Sequence, residues 1–383
     1  FTGTGIIWTP YKNYEIKVKA TDKAGNVGPD STSKYFRLEP PRPVTVITTV
    51  SNGDYRQLVT AIGGTTSSDP QTVEVWLQIR RNSDGLYFSS HTPSWVSIST
   101  WNLATLSLPD WTFAHPALQF VNATSYTVTS KGISNIGVEE IPGTAPNVIV
   151  TFWIDNVVPS AAINLPDKPY MNNLPTISGT AIDGLSGISR VILRIKDLTN
   201  PTTYWSHYQS TWVNFSTICP TQYYTAENRW EYTTAVLYQN LRSYRIEATA
   251  QDRSIPANET TVTKDFTYDI SIPTATITSP VHRSTMSVVN TIWGPYTDLP
   301  SNLAIDKIEV YIQALGGAQA GRYWRDSPAG WILERVGNSS TDTVKIYSSS
   351  WTYIKPAALT WENGIWYSVV VSAIDIAGNA QSS

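Results

Sequence analysis

The chain has 383 residues, 41% hydrophobic and only 15% charged, against about 25% charged in an ordinary soluble domain. Fifteen Trp and 21 Tyr fill part of that gap, and such side chains suit pleated, half-buried strands. A net charge of −3 argues against a protein that tracks nucleic-acid phosphates. No apolar run approaches the roughly 18 residues of a membrane span, so no membrane insertion is expected of this segment.

The single cysteine, Cys219, excludes an intrachain disulfide framework and reads as a small buried hydrophobe. The chain opens Phe1-Thr2-Gly3-Thr4 without initiator Met or signal peptide, and is read as a window on something longer. Asn122, Asn214, Asn258 and Asn338 begin Asn-x-Ser/Thr triplets, which permit glycosylation without requiring it.

In chain order, the first element is Tyr14-Glu-Ile-Lys-Val-Lys-Ala20, a strand leading into Asp22-Lys-Ala-Gly25-Asn26. Gly supplies φ > 0 there, and Asp and Asn bond their own backbone, so the segment predicts a hairpin turn. Next comes a seam, Phe36-x-x-Glu39-x-x-x-Pro43. Alternating strands follow, beginning with Val75-Leu77-Ile79, whose period of two buries one face. The aromatic pair Tyr87-Phe88 precedes Trp95 by seven residues, and Trp111 and Phe120 lead to a second anchor strand from Tyr126, with Ser134 where Asp22 stood.

From there the pattern recurs. The seam returns as Phe152-x-x-Asp155-x-x-x-Pro159 and Phe266-x-x-Asp269-x-x-x-Pro273. Alternation returns at Val191-Leu193-Ile195 and Ile308-Val310-Ile312, and the aromatic pairs at Tyr204-Trp205 and Tyr323-Trp324 before Trp212 and Trp331. Trp230 and Trp351 match Trp111, and Tyr238 and Trp361 match Phe120 and Trp8. The anchors Tyr14, Tyr126, Tyr244 and Tyr367 are 112, 118 and 123 residues apart. A period of this size marks a tandem array. Three residues between acid and Pro make a short, stiff linker, so the boundaries fall at the seams: 1–39, 40–155, 156–269 and 270–383.

No stretch shows a convincing helical period, and several short strands with regular turn signals fit a two-layer sandwich of about seven strands. The expected class is all-β, with tandem immunoglobulin-like antiparallel β-sandwiches joined by short Pro-containing linkers. The motif Tyr-x-(Ile/Val)-x-(Val/Ala)-x-Ala-x-Asp-x-Ala-Gly-Asn, the Asp-x-x-x-Pro seam and Ile177-Ser-Gly179-Thr-Ala-x-Asp183-x-x-Ser-Gly187 resemble the immunoglobulin-like repeats of very large bacterial surface proteins. The resemblance covers essentially the whole chain and implies an extracellular or cell-surface module; it is specific for a module type and not for an activity. Two departures stand out: the 40–155 unit lacks the turn Asp, and Trp293-Gly294-Pro295 replaces Ser178-Gly179-Thr180.

Chemistry is sparse. His91, His115, His207 and His282 fall at different repeat positions, and no nucleophile elbow, zinc-protease motif or phosphate loop is present. No catalytic, cofactor or metal residue is assigned, and an enzyme is not expected. Calcium at domain junctions is the sharper alternative. Asp22, Asp252 and Asp375 in the turns, and Glu39, Asp155 and Asp269 at the seams, could meet there, although calcium needs six to eight oxygens. Without a metal, each turn Asp caps its own turn and each seam acid is solvated. Ten tryptophans (8, 95, 111, 205, 212, 230, 324, 331, 351 and 361) fall in repeat register and read as core. Only Trp76, Trp101, Trp153, Trp293 and Trp366 remain as carbohydrate platforms, and they do not cluster in sequence.

Residues 1–39 hold the last strands of a repeat, and the 270–383 unit stops short of its Phe-x-x-Asp strand. Strand exchange between copies would duplicate two elements, so a window from a longer array is expected. The expected role is mechanical: a stalk, fibre, filament or surface layer whose partners are neighbouring repeats or other copies of itself. Low charge permits close lateral packing. The competing readings are spacer repeats of an adhesin that presents a distant binding domain, and a carbohydrate-binding module of a secreted enzyme.

Overall fold

The structure, a computed structural model, describes residues 5, 7–9, 12–67, 71–143, 148–298 and 305–382. Nearly all regular structure is strand; among the described residues the one helical piece is the 3-10 turn Gly317–Gln319. The chain is a tandem series of antiparallel immunoglobulin-like β-sandwiches joined by short Pro-containing linkers. Residues Phe1–Val157 with Arg253–Asn258 form one compact unit, and Val158–Asp252 with Glu259–Ser383 form the other.

The first unit opens with a two-stranded hairpin, Asn13–Ile16 against Lys34–Arg37. A sandwich follows. One sheet runs Thr105–Ser107, Asp110–Phe113, Ile62–Thr66, Thr45–Ile47. The other runs Tyr55–Arg56, Ile149–Ile154, Ser125–Ser134, Thr72–Arg81, Tyr87–Ser89, Ser94–Val96. Alternation does the sorting: Val75, Leu77 and Ile79 are fully buried between the sheets while Glu74 and Gln78 face outward. The loop 253–258 belongs to this unit, where Ile255 bridges Arg56 in parallel and Asn258 Nδ2 donates to the Asp155 carbonyl at 3.0 Å.

The second unit contains two sandwiches of the same plan. In the first, Ser160–Leu165, Thr176–Ile182, Arg229–Thr233 and Gln222–Tyr224 face a sheet centred on Ile188–Asp197, Arg242–Asp252 and Glu259–Tyr268. In the second, Thr274–Ala275, Thr291–Thr297, Ser350–Ile354 and Val344–Ile346 face a sheet centred on Ile305–Ala314 and Tyr367–Asp375. Three separate cores result, drawn from residues 47–154, 174–266 and 275–373.

The repeat columns have mechanical explanations. Each anchor hydroxyl accepts the backbone amide five residues upstream: Val121 N to Tyr126, Gln239 N to Tyr244 and Glu362 N to Tyr367, all at 2.8 Å, with Thr9 and Tyr14 paired likewise. The aromatic six residues upstream packs edge-on against the same ring at 4.7–5.0 Å. Such a corner satisfies a loop amide and fixes the entry to the strand. On the other sheet, Trp111, Trp230 and Trp351 lie opposite Gly64, Gly179 and Gly294. A Cβ on Gly179 would come within 2.6 Å of the Trp230 ring and 2.0 Å of the Ala162 carbonyl, so only Gly admits the indole. Trp293-Gly294-Pro295 therefore keeps the one residue the position requires.

Cys219 is buried opposite Leu193. Asn102 and Asn338 stand at the matching place in the other sandwiches, opposite Leu77 and beside Val310, and each side-chain amide donates to two strand carbonyls. The lone cysteine fills a slot elsewhere used by an asparagine clamp, and burial pushes its thiol up to about 11.

Candidate cation site

Asp269 directly follows the Glu259–Tyr268 strand, Asp298 directly follows Thr291–Thr297, and Asp375 ends the Tyr367–Asp375 strand. The second unit brings the three together: one carboxylate oxygen from each lies within 4.8 Å of the other two, and all three residues are buried. One comes from the seam, one from the strand opposite the buried Trp351, and one from the hairpin turn.

Asp375 caps its turn. Its Oδ1 accepts the amides of Gly378 and Asn379, both at 2.7 Å, and its Oδ2 accepts Asn379 Nδ2 at 2.8 Å. Gly378 has φ +99°, which the turn requires and glycine allows. The same Asn379 amide donates to the Asp269 carbonyl at 2.8 Å, and Asn172 donates to Asn379 Oδ1 at 3.3 Å. Asp269 Oδ1 accepts the Ser271 amide at 2.9 Å.

Asp269 Oδ2 is different. It is buried in a residue with 0% exposure and has no hydrogen-bond donor among the described residues. Burial, with the nearby Asp375 charge adding to it, raises the Asp269 carboxyl above its ordinary value despite the Ser271 bonds. Neither Asp269 nor Asp375 has a basic partner among the described residues. Two carboxylates at this spacing repel by about 3 kcal/mol at an effective dielectric constant of 20, before any cost of burial. A positive ion among them removes both penalties.

The donor set fits a hard divalent ion. All three side chains offer oxygen, which suits calcium, magnesium or manganese over softer metals. Oxygens on opposite sides of a calcium bound at 2.3–2.6 Å are about 5 Å apart, the scale of the cluster. Asp269, Asp298 and Asp375 would hold the ion, and bound there it would supply charge neutralisation and cross-linking.

Of the acids singled out from sequence, Asp269 and Asp375 are thus brought together. Asp22 is exposed and caps its own turn, its Oδ1 accepting the Ala24 and Asn26 amides at 2.9 Å. Glu39 is exposed and pairs with Arg37 at 3.2 Å. Asp155 and Asp252 are buried; Asp155 Oδ1 accepts the Val157 amide, and Asp252 pairs with Ile188. Asp298 escaped the sequence reading, although its signal was present. It stands four residues after Gly294, as Asp183 stands four after Gly179.

Elsewhere the chemistry is thin. His115 Nδ1 accepts the Ala117 amide and His207 Nδ1 meets Tyr232 OH, each within its own sandwich. A cavity of about 400 Å³ in the first unit is lined by Gln57, His115, Gln119, Phe120 and Asn156 among others, with no carboxylate in its wall. No helix among the described residues is long and apolar enough to cross a membrane. Two unregistered tryptophans share a neighbour: Lys131 pairs with Trp76 across the sheet and lies over the Trp101 ring at 4.7 Å.

No protein-family model matches the chain, and no curated protein matches it. Among solved structures it is similar to the fibronectin(III)-like modules of Clostridium thermocellum CbhA, at 14% identity and TM-score 0.32, covering 59% of this chain and 94% of that one. Chicken CNTN1 FN1-FN3 domains align at 11% identity and TM-score 0.28, covering 88% and 95%. Protocadherin gamma B2 cadherin domains 3-6 align at 12% and 0.24, covering 95% and 80%. Scores this low leave the fold assignment resting on the sheets themselves.

Proposed function

We propose that this chain is a non-enzymatic spacer, a segment of an extracellular stalk or fibre whose sandwiches transmit force and keep distance. The observation that carries this reading is the buried acid cluster. Its three carboxylates come from two successive sandwiches of the second unit, and a divalent cation among them braces the seam between those sandwiches. A brace at a junction is useful to a rod and has no evident use to a catalyst. Each sandwich supports the reading by burying its own core, so that neighbours need only a short linker.

Thermal unfolding with calcium and with a chelator tests the brace. A raised midpoint with calcium supports it, and identical midpoints remove it. Self-assembly into a filament or layer is the further reach of the proposal, favoured by the low charge. Negative-stain images of ordered polymers support it, whereas protein that stays monomeric at high concentration defeats it and leaves the adhesin spacer.

Carbohydrate binding is a second reading, favoured by the Trp76–Lys131–Trp101 group, which no other sandwich repeats. Glycan-array binding lost on Trp76→Ala and Trp101→Ala would support it.

A further inference from the structure

Turn capping and cation binding are separable jobs, and the first sandwich performs only one of them. Three turns share a plan: bridges join Thr21 to Val27, Ile133 to Glu139 and Ile374 to Ala380, and the amides of Gly25, Gly137 and Gly378 donate to the carbonyls of residues 22, 134 and 375. In the middle turn Ser134 stands for the aspartate, and its Oγ accepts the Val138 amide at 3.1 Å. One hydroxyl is therefore enough to cap this turn. It brings no charge. Val138, buried, stands where Asn379 reaches across to the Asp269 carbonyl. At the seam, Glu39 is exposed and paired with Arg37, whereas Asp269 is buried with an unsatisfied oxygen.

The seam after Glu39 is secured by protein groups instead. Pro40 and Pro43 are buried. A Cβ on Gly132 would meet Pro43 Cβ at 3.3 Å, so the proline packs against the anchor strand. Arg42 donates to the Glu139 carbonyl at 2.6 Å. The buried Glu140 carboxylate accepts Thr45 N and Gly132 N at 3.0 Å and Thr45 Oγ1 at 2.7 Å, tying the first strand to the anchor strand. Residues 40–43 read Pro-Pro-Arg-Pro, which stiffens the backbone without a ligand.

We infer that the chain contains two classes of junction, one at Asp269–Pro273 that takes a hard divalent cation and one at Glu39–Pro43 that takes none. A cell that withdraws calcium would then loosen one seam and leave the other stiff. The inference rests on the cation reading above.

Hydrogen exchange of the full chain, followed by mass spectrometry with calcium or chelator, tests it. At free calcium about 100 times its Kd, opening of the cation-held junction is suppressed roughly 100-fold. The expected result is slower exchange at residues 269–273 and 375–380, with no change at 39–45 and 132–140. Asp375→Ser should fold, because Ser134 caps the same turn, and should lose the calcium response. Response at both junctions overturns this inference and leaves the cation reading standing, whereas a full response in Asp375→Ser overturns the inference and the assignment of Asp375 to the ion together. Response at neither junction defeats the cation reading, and this inference with it.

Discussion

Asn379 Nδ2 donates to the carbonyl oxygen of Asp269 at 2.8 Å, from the hairpin turn of one sandwich to the seam that precedes it. Its second proton goes to Asp375 Oδ2 at 2.8 Å, so a single amide aligns the turn acid with the seam acid. Asn379→Val copies the residue that the first sandwich carries at this place. The fold should persist. Loss of these two hydrogen bonds and of the one Asn379 Oδ1 accepts from Asn172 should cost about 2–4 kcal/mol, read as a lower denaturation midpoint for the second unit and faster exchange near Asp269.

Tyr238 occupies the column filled elsewhere by Trp8, Phe120 and Trp361. Its hydroxyl is buried with no hydrogen-bond partner among the described residues, and burial raises its pKa well above the ordinary value. Tyr238→Phe removes a desolvated group without opening space. Equilibrium unfolding should show the variant as stable as the parent, or more stable by about 1 kcal/mol.

Burial raises the Glu140 carboxyl above its ordinary value, outweighing the Thr45 and Gly132 bonds that lower it. A raised folded-state pKa means that the fold binds the proton more tightly than the unfolded chain. The resulting stability is fully present below the ordinary value of 4.5 and is lost as pH rises through the raised one. Glu140→Gln should remove this slope from the first unit. The fold should tolerate the change, because Gln381 fills the matching place and bonds Ala275 through both its oxygen and its nitrogen. Denaturation midpoints of both proteins across the acid range provide the check. Parallel curves would contradict the assignment.

The four glycosylation triplets are not equivalent once folded. Asn258 donates to the Asp155 carbonyl and Asn338 to the Val310 and Trp324 carbonyls, and both residues are buried. Asn214 is exposed, and Asn122 is half-buried with its oxygen bound to the Asn156 amide. Secreted from a glycosylating host, the folded chain should carry glycan at Asn214 first and none at Asn258 or Asn338. Peptide mapping measures this directly.

What was readable in sequence follows from what repeats. The anchor tyrosines, the upstream aromatics and the Trp column each serve a local bond or a cross-strand contact that every sandwich must make, so they recur at fixed offsets. Asp298 was harder. It joins Asp269 and Asp375 only through folding, across 29 and 77 residues, and its column is shared with Asp183 alone among the described residues. Trp76 and Trp101 look scattered in sequence because what they share is a neighbour, Lys131, on a paired strand. The turn Asp was ambiguous for a physical reason: Asp375 caps its turn and faces the cluster at once, whereas Asp22 caps alone.

The brace proposed for the second unit is a divalent cation held by Asp269, Asp298 and Asp375. Calorimetric unfolding of the whole chain in calcium and in chelator, with parent protein and Asp298→Asn side by side, tests it most directly. The expected result is a higher midpoint for the second unit in calcium, by an amount that grows with calcium concentration, and no such shift in Asp298→Asn. Parent protein melting at one temperature in calcium and in chelator would contradict it.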